Sequence, residues 1–251
     1  MNKTIKSFLR LWLPRSIRRQ RILGGPLRGH WIVTSWHDYP AALMGRTECQ
    51  LLNWFATNVK VGETWLDVGA HYGYTAIALS RLVGLAGRVF AFEPTLSTVG
   101  YLAQTRLLNN LPQLTVLPLA LAAPENLELK QLPAVRGMVD STLHSGEWTE
   151  IFLVARLDWL WPRICNGQQR IHGIKIDVQG MEINVLRGMY GLLKVFKPKL
   201  VVEVHHSVDR NEFLNLIEML GYSRWSVPIE PAEGESDPQY IDDRSYAFQA
   251  F

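Results

Sequence analysis

The chain has 251 residues, 47% hydrophobic and 20% charged, and its two cysteines, Cys49 and Cys165, form no CxxC pair. That balance is globular; it excludes a disordered or collagen-like chain, a disulfide framework and a cysteine zinc cluster, and fits a reducing, cytoplasmic compartment. The net charge of +3 is uneven, since residues 1–37 hold eight basic side chains (Lys3, Lys6, Arg10, Arg15, Arg18, Arg19, Arg21, Arg28) and no acid, which leaves 18 basic against 23 acidic residues in the rest and argues against a general nucleic-acid-binding surface there.

Residues 1–28 read as a basic amphipathic leader and 29–251 as one domain. In the leader Ile5, Phe8, Leu9, Trp12 and Leu13 follow helical spacing until Pro14 and a string of arginines end the pattern. The stretch is too short to span a bilayer. Arg10 interrupts it and no small-residue cleavage site follows, so it is a poor signal peptide. Two readings stay open: peripheral contact with an anionic membrane, or a helix packed on its own domain.

Strand-like and helix-like segments then alternate, the pattern of βαβ units in a mainly parallel sheet. Strands are expected over 64–68, 88–92, 114–119, 171–178 and 200–205. Helices are expected over 74–83, 96–109, 181–194 and 209–220. Residues 124–156 read as short strands and a loop. Two strand-like runs, 222–227 and 244–251, lack a helix between them and imply an antiparallel hairpin at the sheet edge, with a solvated acidic tip. The fold expected is a doubly wound α/β sheet.

The segment Asp67-Val68-Gly69-Ala70-His71-Tyr72-Gly73 runs from a buried strand through a glycine turn into a helix. A dinucleotide fingerprint, GxGxxG, needs glycine at position 71 as well as at Gly69, and His71 stands there, which demotes a nicotinamide enzyme. Gly69 and Gly73 allow close backbone approach, the helix's first amides can receive a carboxylate, and Asp67 can accept from an ammonium. Glu93, ending the next strand, stands where an acid accepts two ribose hydroxyls. A nucleoside carrying an amino acid tail fits both strand ends, and S-adenosyl-L-methionine is that molecule. Ala70, Tyr72, Tyr74, Thr75 and Pro94 border the same expected site.

The chain resembles the FkbM family of S-adenosylmethionine-dependent methyltransferases. The resemblance lies in LDVGAHYGYTAIALS (66–80), GRVFAFEPTLS (87–97), LPLALA (117–122), IKIDVQGMEINVLRG (174–188) and KLVVEVH (199–205). It extends to GPLRGHWIVTSWH (25–37) and the Gly45–Glu48 stretch, and so covers nearly everything after the leader. It implies a class I, Rossmann-like methyltransferase fold with a seven-stranded sheet. It also implies that Asp67, Gly69 and Gly73 surround the methionine end, that Glu93 holds the ribose, and that Ala120 and Leu121 flank the adenine. Two departures are His71, where Asn or a small residue is frequent, and Gln179, where Glu is common.

For the reacting end, strand alternation puts Lys175 and Asp177 on one face, and Glu203 and His205 on one face of the next strand. Polar pairs in apolar strands need partners. The expected base for a hydroxyl proton is Asp177 or His205, held in place by Lys175 and Glu203; the structural alternative is a Lys175–Glu203 ion pair across the strands. Asp177, Glu182, Glu203 and His205 are also a possible ligand set, but no metal is assigned, since Glu182 has a simpler role at a helix N-terminus. Trp31, Trp36, His37 and Tyr39 are candidates to cap the acceptor pocket, and the resemblance adds Asp140–His144 as a possible cleft lining. The function expected is O-methylation of a hydroxyl on a saccharide, glycolipid or secondary metabolite, an acceptor class that comes from the resemblance. The alternatives are a non-catalytic S-adenosylmethionine-binding module at a membrane and an NAD-dependent oxidoreductase.

Overall fold

The structure, a computed structural model, describes residues 12–135, 138–139, 149–165, 169–229, 231, 235 and 237–251. It opens with an antiparallel pair, β1 (Arg18–Arg21) and β2 (Trp31–Thr34), in which the Arg21 guanidinium lies 4.0 Å over the centre of the Trp31 ring. The helix expected over Ile5–Leu13 falls almost wholly outside the described residues. The expected boundary at residue 28 lies inside the β1–β2 hairpin.

Two helices, α1 (Pro40–Leu43) and α2 (Cys49–Asn58), lead into the central run of β3 (Thr64–Val68), α3 (Tyr74–Val83), β4 (Arg88–Phe92), α4 (Leu96–Leu108) and β5 (Leu114–Leu117). The hairpin docks on α4 through side chains that satisfy its edge: the Val33 amide donates to Thr105 Oγ1, and Asn109 exchanges two hydrogen bonds with the Trp31 backbone. Ile22 and Leu27 are buried in the same cluster as Phe55 and Ile77, so the described part of the basic segment shares the domain core.

A smaller sheet follows, made of β6 (Ala120–Leu121), β7 (Leu127–Val135), β8 (Met138–Val139) and β9 (Thr149–Ala155) in the order β6-β9-β7-β8. Here the sequence pattern understates the order, because β7 and β9 pair antiparallel continuously from Leu127–Ala155 to Pro133–Thr149. Residues 140–148, including the Asp140–His144 patch, lie outside the described residues.

The rest comprises α5 (Leu157–Ile164), β10 (Gly173–Ile176), α6 (Glu182–Gly188), α7 (Tyr190–Phe196), β11 (Lys199–Val204), α8 (Arg210–Met219), β12 (Val227–Pro228) and β13 (Arg244–Phe248). The main sheet runs β12-β13-β11-β10-β3-β4-β5. Its five strands from β11 to β5 are parallel, and β13 is antiparallel to both neighbours. The expected doubly wound sheet with an antiparallel C-terminal hairpin is therefore present, although the 222–227 strand shrinks to β12 and a single Tyr222–Ala250 bridge.

Both faces of this sheet are apolar, as a parallel sheet covered by helices requires. Leu66, Phe90, Ile174 and Val202 pack with residues of α5 to α8, and Trp65, Val89, Ala91 and Val201 pack with those of α2, α3 and α4. The second face changes character toward the strands' carboxyl ends, where Trp65 gives way to Asp67 and Val201 to Glu203, with Lys175 in register beside Asp67. That change positions the site.

Two helical differences have local causes. The helix expected over 181–194 is broken at Met189, because Gly188 and Gly191 weaken it and Asp158 accepts from the Gly191 and Leu192 amides at 2.9 Å, capping α7 from another element. Helix α5 was hidden by Pro162; it forms because Leu157, Leu160 and Trp161 are buried, with the Trp161 ring 5.0 Å from Phe90. Replacing Asp158 by Ala is expected to cost about 1 kcal/mol, the usual worth of a lost cap, read as a lower urea midpoint at unchanged slope. An unchanged midpoint would show that the break does not depend on this cap.

Candidate functional site

The turn after β3 is built on two glycines in the left-handed region. Gly69 has φ +83°, and a Cβ there would sit 1.8 Å from the Asp177 carbonyl oxygen, so the ends of β3 and β10 approach only because this residue has no side chain. Gly73 has φ +92°, and a Cβ there would sit 2.3 Å from Leu102 of α4. The Gly69 and Ala70 amides both donate to the Phe92 carbonyl at 3.0 Å, which fastens the turn to the end of β4. The first bond of α3 runs from the Ile77 amide to the Gly73 carbonyl, so the amides of Tyr74, Thr75 and Ala76 precede the helical ladder.

His71 adopts φ +48° without being glycine. Its amide donates to Glu93 Oε2 at 3.0 Å, and its ring packs 4.1 Å from Tyr72 and 5.6 Å from Tyr39, contacts that offset the backbone strain. Burial pushes the imidazole down to about 4, so it is neutral. Glu93 also accepts from the Thr95 amide at 3.0 Å. Burial nevertheless pushes its carboxyl up to about 7, against those two bonds.

A cavity of about 210 Å³ opens between these strand ends. Of the residues expected from sequence, Gly69, Ala70, Tyr74, Thr75, Glu93, Pro94, Ala120, Leu121, Lys175 and Asp177 line it. Asp67, Tyr72, Gly73, Glu203 and His205 do not. Asp67 is fully buried, and its Oδ2 accepts from Thr75 Oγ1 at 2.7 Å. Tyr72 turns into a second hollow of about 350 Å³, shared with Arg15, His37, Asp38 and Tyr101. Of the aromatic residues expected to cap an acceptor pocket, Tyr39 lines the main cavity, His37 the second hollow, and Trp31 packs under Arg21. Sequence reasoning missed Phe152 and Val154, which β9 brings to the cavity wall, together with Gln179 and Met181. Alternation in 149–155 was the signal available for the first two.

The ionisable residues form one cluster on the polar end of the sheet face. Lys175 Nζ donates to Asp177 Oδ2 at 3.0 Å and lies 3.7 Å from Asp67 Oδ1, a buried oxygen with no hydrogen-bond partner. The expected Lys175–Glu203 ion pair does not form, because strand register sets Lys175 beside Asp67 on one side and Val201 on the other. Burial opposes the ammonium, but Asp177 and Asp67 outweigh it and hold Lys175 above its ordinary value. Burial likewise opposes the Asp177 carboxylate, and Lys175 with His205 more than compensates, keeping it low.

His205 is held by its Nδ1, 2.5 Å from Oε1 of the fully buried Glu182. Its Nε2 lies 3.5 Å from Asp177 Oδ1 and 3.7 Å from Glu203 Oε1. Burial works against its charge, but the Glu182 hydrogen bond and Asp177 raise it to about 9. Glu203 is pushed up to about 8 by burial and by Asp177. The Gln179 amide nitrogen lies 2.9 Å from Nε2, a hydrogen bond while that nitrogen is unprotonated; on an imidazolium the amide turns and accepts through its oxygen.

Comparison with known proteins places this geometry in a family. Residues 67–224 match the family described as methyltransferase FkbM domain. Among solved structures the chain is similar to an FkbM methyltransferase from Methylobacillus flagellatus KT, at 18% identity and a TM-score of 0.50 over 78% of this chain and 50% of that one. It is also similar to an rRNA methylase from Streptococcus thermophilus, at 10% identity and a TM-score of 0.49 over 83% and 98% of the two chains. A third is a SAM-dependent O-methyltransferase from Thermotoga maritima, at 13% identity and a TM-score of 0.47 over 80% and 65%. No curated protein matches the sequence. Among the described residues, no helix is long and apolar enough to cross a membrane. The family match spans the glycine turn, Glu93 and the Lys175–His205 cluster in one continuous segment, and the chain belongs to the FkbM methyltransferase-domain family, with S-adenosylmethionine as its cofactor.

Proposed function

We propose that the chain transfers the methyl group of S-adenosylmethionine to a hydroxyl oxygen of a saccharide, glycolipid or secondary metabolite. The observation that carries this reading is one cavity with a buried carboxyl, Glu93, at one strand end and an ionised carboxylate, Asp177, at another. In it the ribose hydroxyls donate to Glu93, the adenine lies against Ala120 and Leu121, and the amino acid end meets the turn at Gly69 and Ala70 and the open amides of Tyr74 and Thr75. Asp67 stands one layer behind, held by Thr75 and Lys175, so it acts as a positioning residue for the turn and the ammonium.

The cluster at the other end suits an oxygen acceptor. An alcohol must lose a proton as it attacks, and the residue that takes it must reach the cavity. Asp177 lines the cavity, whereas Glu203 and His205 sit behind it. The acceptor oxygen's lone pair forms the new bond to the methyl carbon, the carbon–sulfur bond breaks with its pair going to sulfur, and the hydroxyl proton passes to Asp177. Lys175, His205 and Glu203 fix that carboxylate. The acceptor class rests on the family resemblance, and the acidic balance of the body supports a small acceptor over RNA.

Calorimetric titration with S-adenosylmethionine tests the donor half. Glu93→Ala is expected to weaken binding at least tenfold, about 1.4 kcal/mol. Ribose hydroxyls favour the ionised carboxylate, so wild-type affinity is expected to fall as the pH drops from about 8 to about 6, and Glu93→Gln to remove that slope. Affinity that stays flat with pH and insensitive to Glu93 contradicts the placement. For the acceptor half, Asp177→Asn is expected to slow transfer of a labelled methyl group to a glycan or metabolite extract by about a hundredfold or more, with cofactor affinity within a few fold of wild type. Equal loss of affinity and turnover would mean that Asp177 is structural.

A further inference from the structure

We infer that Asp177, Glu203 and His205 form a divalent-cation site at the reacting end of the cavity, with Glu182 as the residue that orients the histidine. The argument begins with direction. His205 is buried, and its Nδ1 is taken by Glu182, which is itself fully buried and also accepts from the Gly180 amide at 3.2 Å. A carboxylate on the far nitrogen is the arrangement that fixes the ring and tautomer of a metal-binding histidine. The near nitrogen meets the Gln179 amide at 2.9 Å, a contact the cation replaces, and faces Asp177 Oδ1 and Glu203 Oε1 at 3.5 and 3.7 Å; one donor atom from each of the three residues falls within 4.8 Å of the others. These donors come from the ends of two adjacent parallel strands, β10 and β11, so the sheet sets their spacing.

The donor set supplies a second argument. Among the described residues the cluster gathers four carboxylates, Asp67, Asp177, Glu182 and Glu203, around Lys175 and His205. Asp67 and Glu182 are fully buried, and each keeps one oxygen with no hydrogen-bond partner. Such a concentration of carboxyl oxygens beside an imidazole is the donor chemistry that a divalent cation takes.

Lys175 does not block the cation, because the two oxygens of Asp177 are divided. Oδ2 faces the ammonium at 3.0 Å and Oδ1 faces His205. When a cation draws on Asp177, the ammonium has a second seat: it closes on Asp67 Oδ1, the unsatisfied oxygen 3.7 Å away. A set of two carboxylates and one imidazole favours Mn²⁺ over Mg²⁺, and Asp177 opens the remaining coordination positions to the cavity. A cation held there raises the acidity of a bound hydroxyl. That use rests on the hydroxyl-acceptor reading; the site's occupancy does not.

The test uses Mn²⁺ and the full chain with neither S-adenosylmethionine nor acceptor, so its outcome is independent of methyl transfer. Loss of the free-ion paramagnetic resonance signal is expected to show one Mn²⁺ bound per chain, weakened at least tenfold by Asp177→Asn or Glu203→Gln. Glu182→Gln is expected to cost about ten- to a hundredfold in affinity. In the wild-type protein, bound Mn²⁺ is expected to broaden the His205 imidazole resonances, a readout that needs no variant to fold. The proposal is overturned if millimolar Mn²⁺ leaves the free-ion signal undiminished, if those resonances stay sharp at saturation, or if folded Asp177→Asn and Glu203→Gln proteins bind as wild type does.

Discussion

The ammonium of Lys175 is the interaction on which the site depends. It sits in the sheet with 3% of its surface exposed, between the carboxylates of Asp67 and Asp177. Breaking such a pair from one side strands an uncompensated charge, at a cost of about 3–5 kcal/mol. Its partners tie it to the cavity at two points: Asp67 holds Thr75 at the start of α3, and Asp177 is the carboxylate of the cluster that lines the cavity. The same two strands approach backbone to backbone at Gly69 and Asp177, so turn and cluster are in direct contact.

The cavity divides by chemistry. Around Glu93 the walls are the turn, Phe92 and the apolar residues Ala120, Leu121, Phe152 and Val154. Around Asp177 the surroundings are ionisable, with His205, Glu203 and Glu182 layered behind it. The second, smaller sheet matters because β9 carries Phe152 and Val154 to the cavity wall beside Ala120 and Leu121.

Much of this was legible in the sequence. The parallel strands announce themselves as short apolar runs, and the carboxyl-end residues Asp67, Glu93, Asp177 and His205 follow from where those runs stop. What was not legible depends on contacts between distant segments. The break at Met189 needs Asp158 from another helix, and the pairing of Lys175 with Asp67 instead of Glu203 follows from strand register, which alternation alone does not reveal. The turning of Tyr72 away from the cavity follows from the left-handed conformation of His71, a state that non-glycine residues rarely adopt. The basic N-terminal stretch read as a separate leader because charge dominates its composition, yet in its described part Ile22 and Leu27 lie in the domain core.

A crystal structure with S-adenosylhomocysteine bound tests the central claim most directly. The account predicts the ribose hydroxyls on the Glu93 carboxylate, the base against Ala120 and Leu121, and the sulfur facing Asp177. A nucleoside seated instead in the hollow between Tyr72 and Tyr101, or with its sulfur turned away from Asp177, would contradict it.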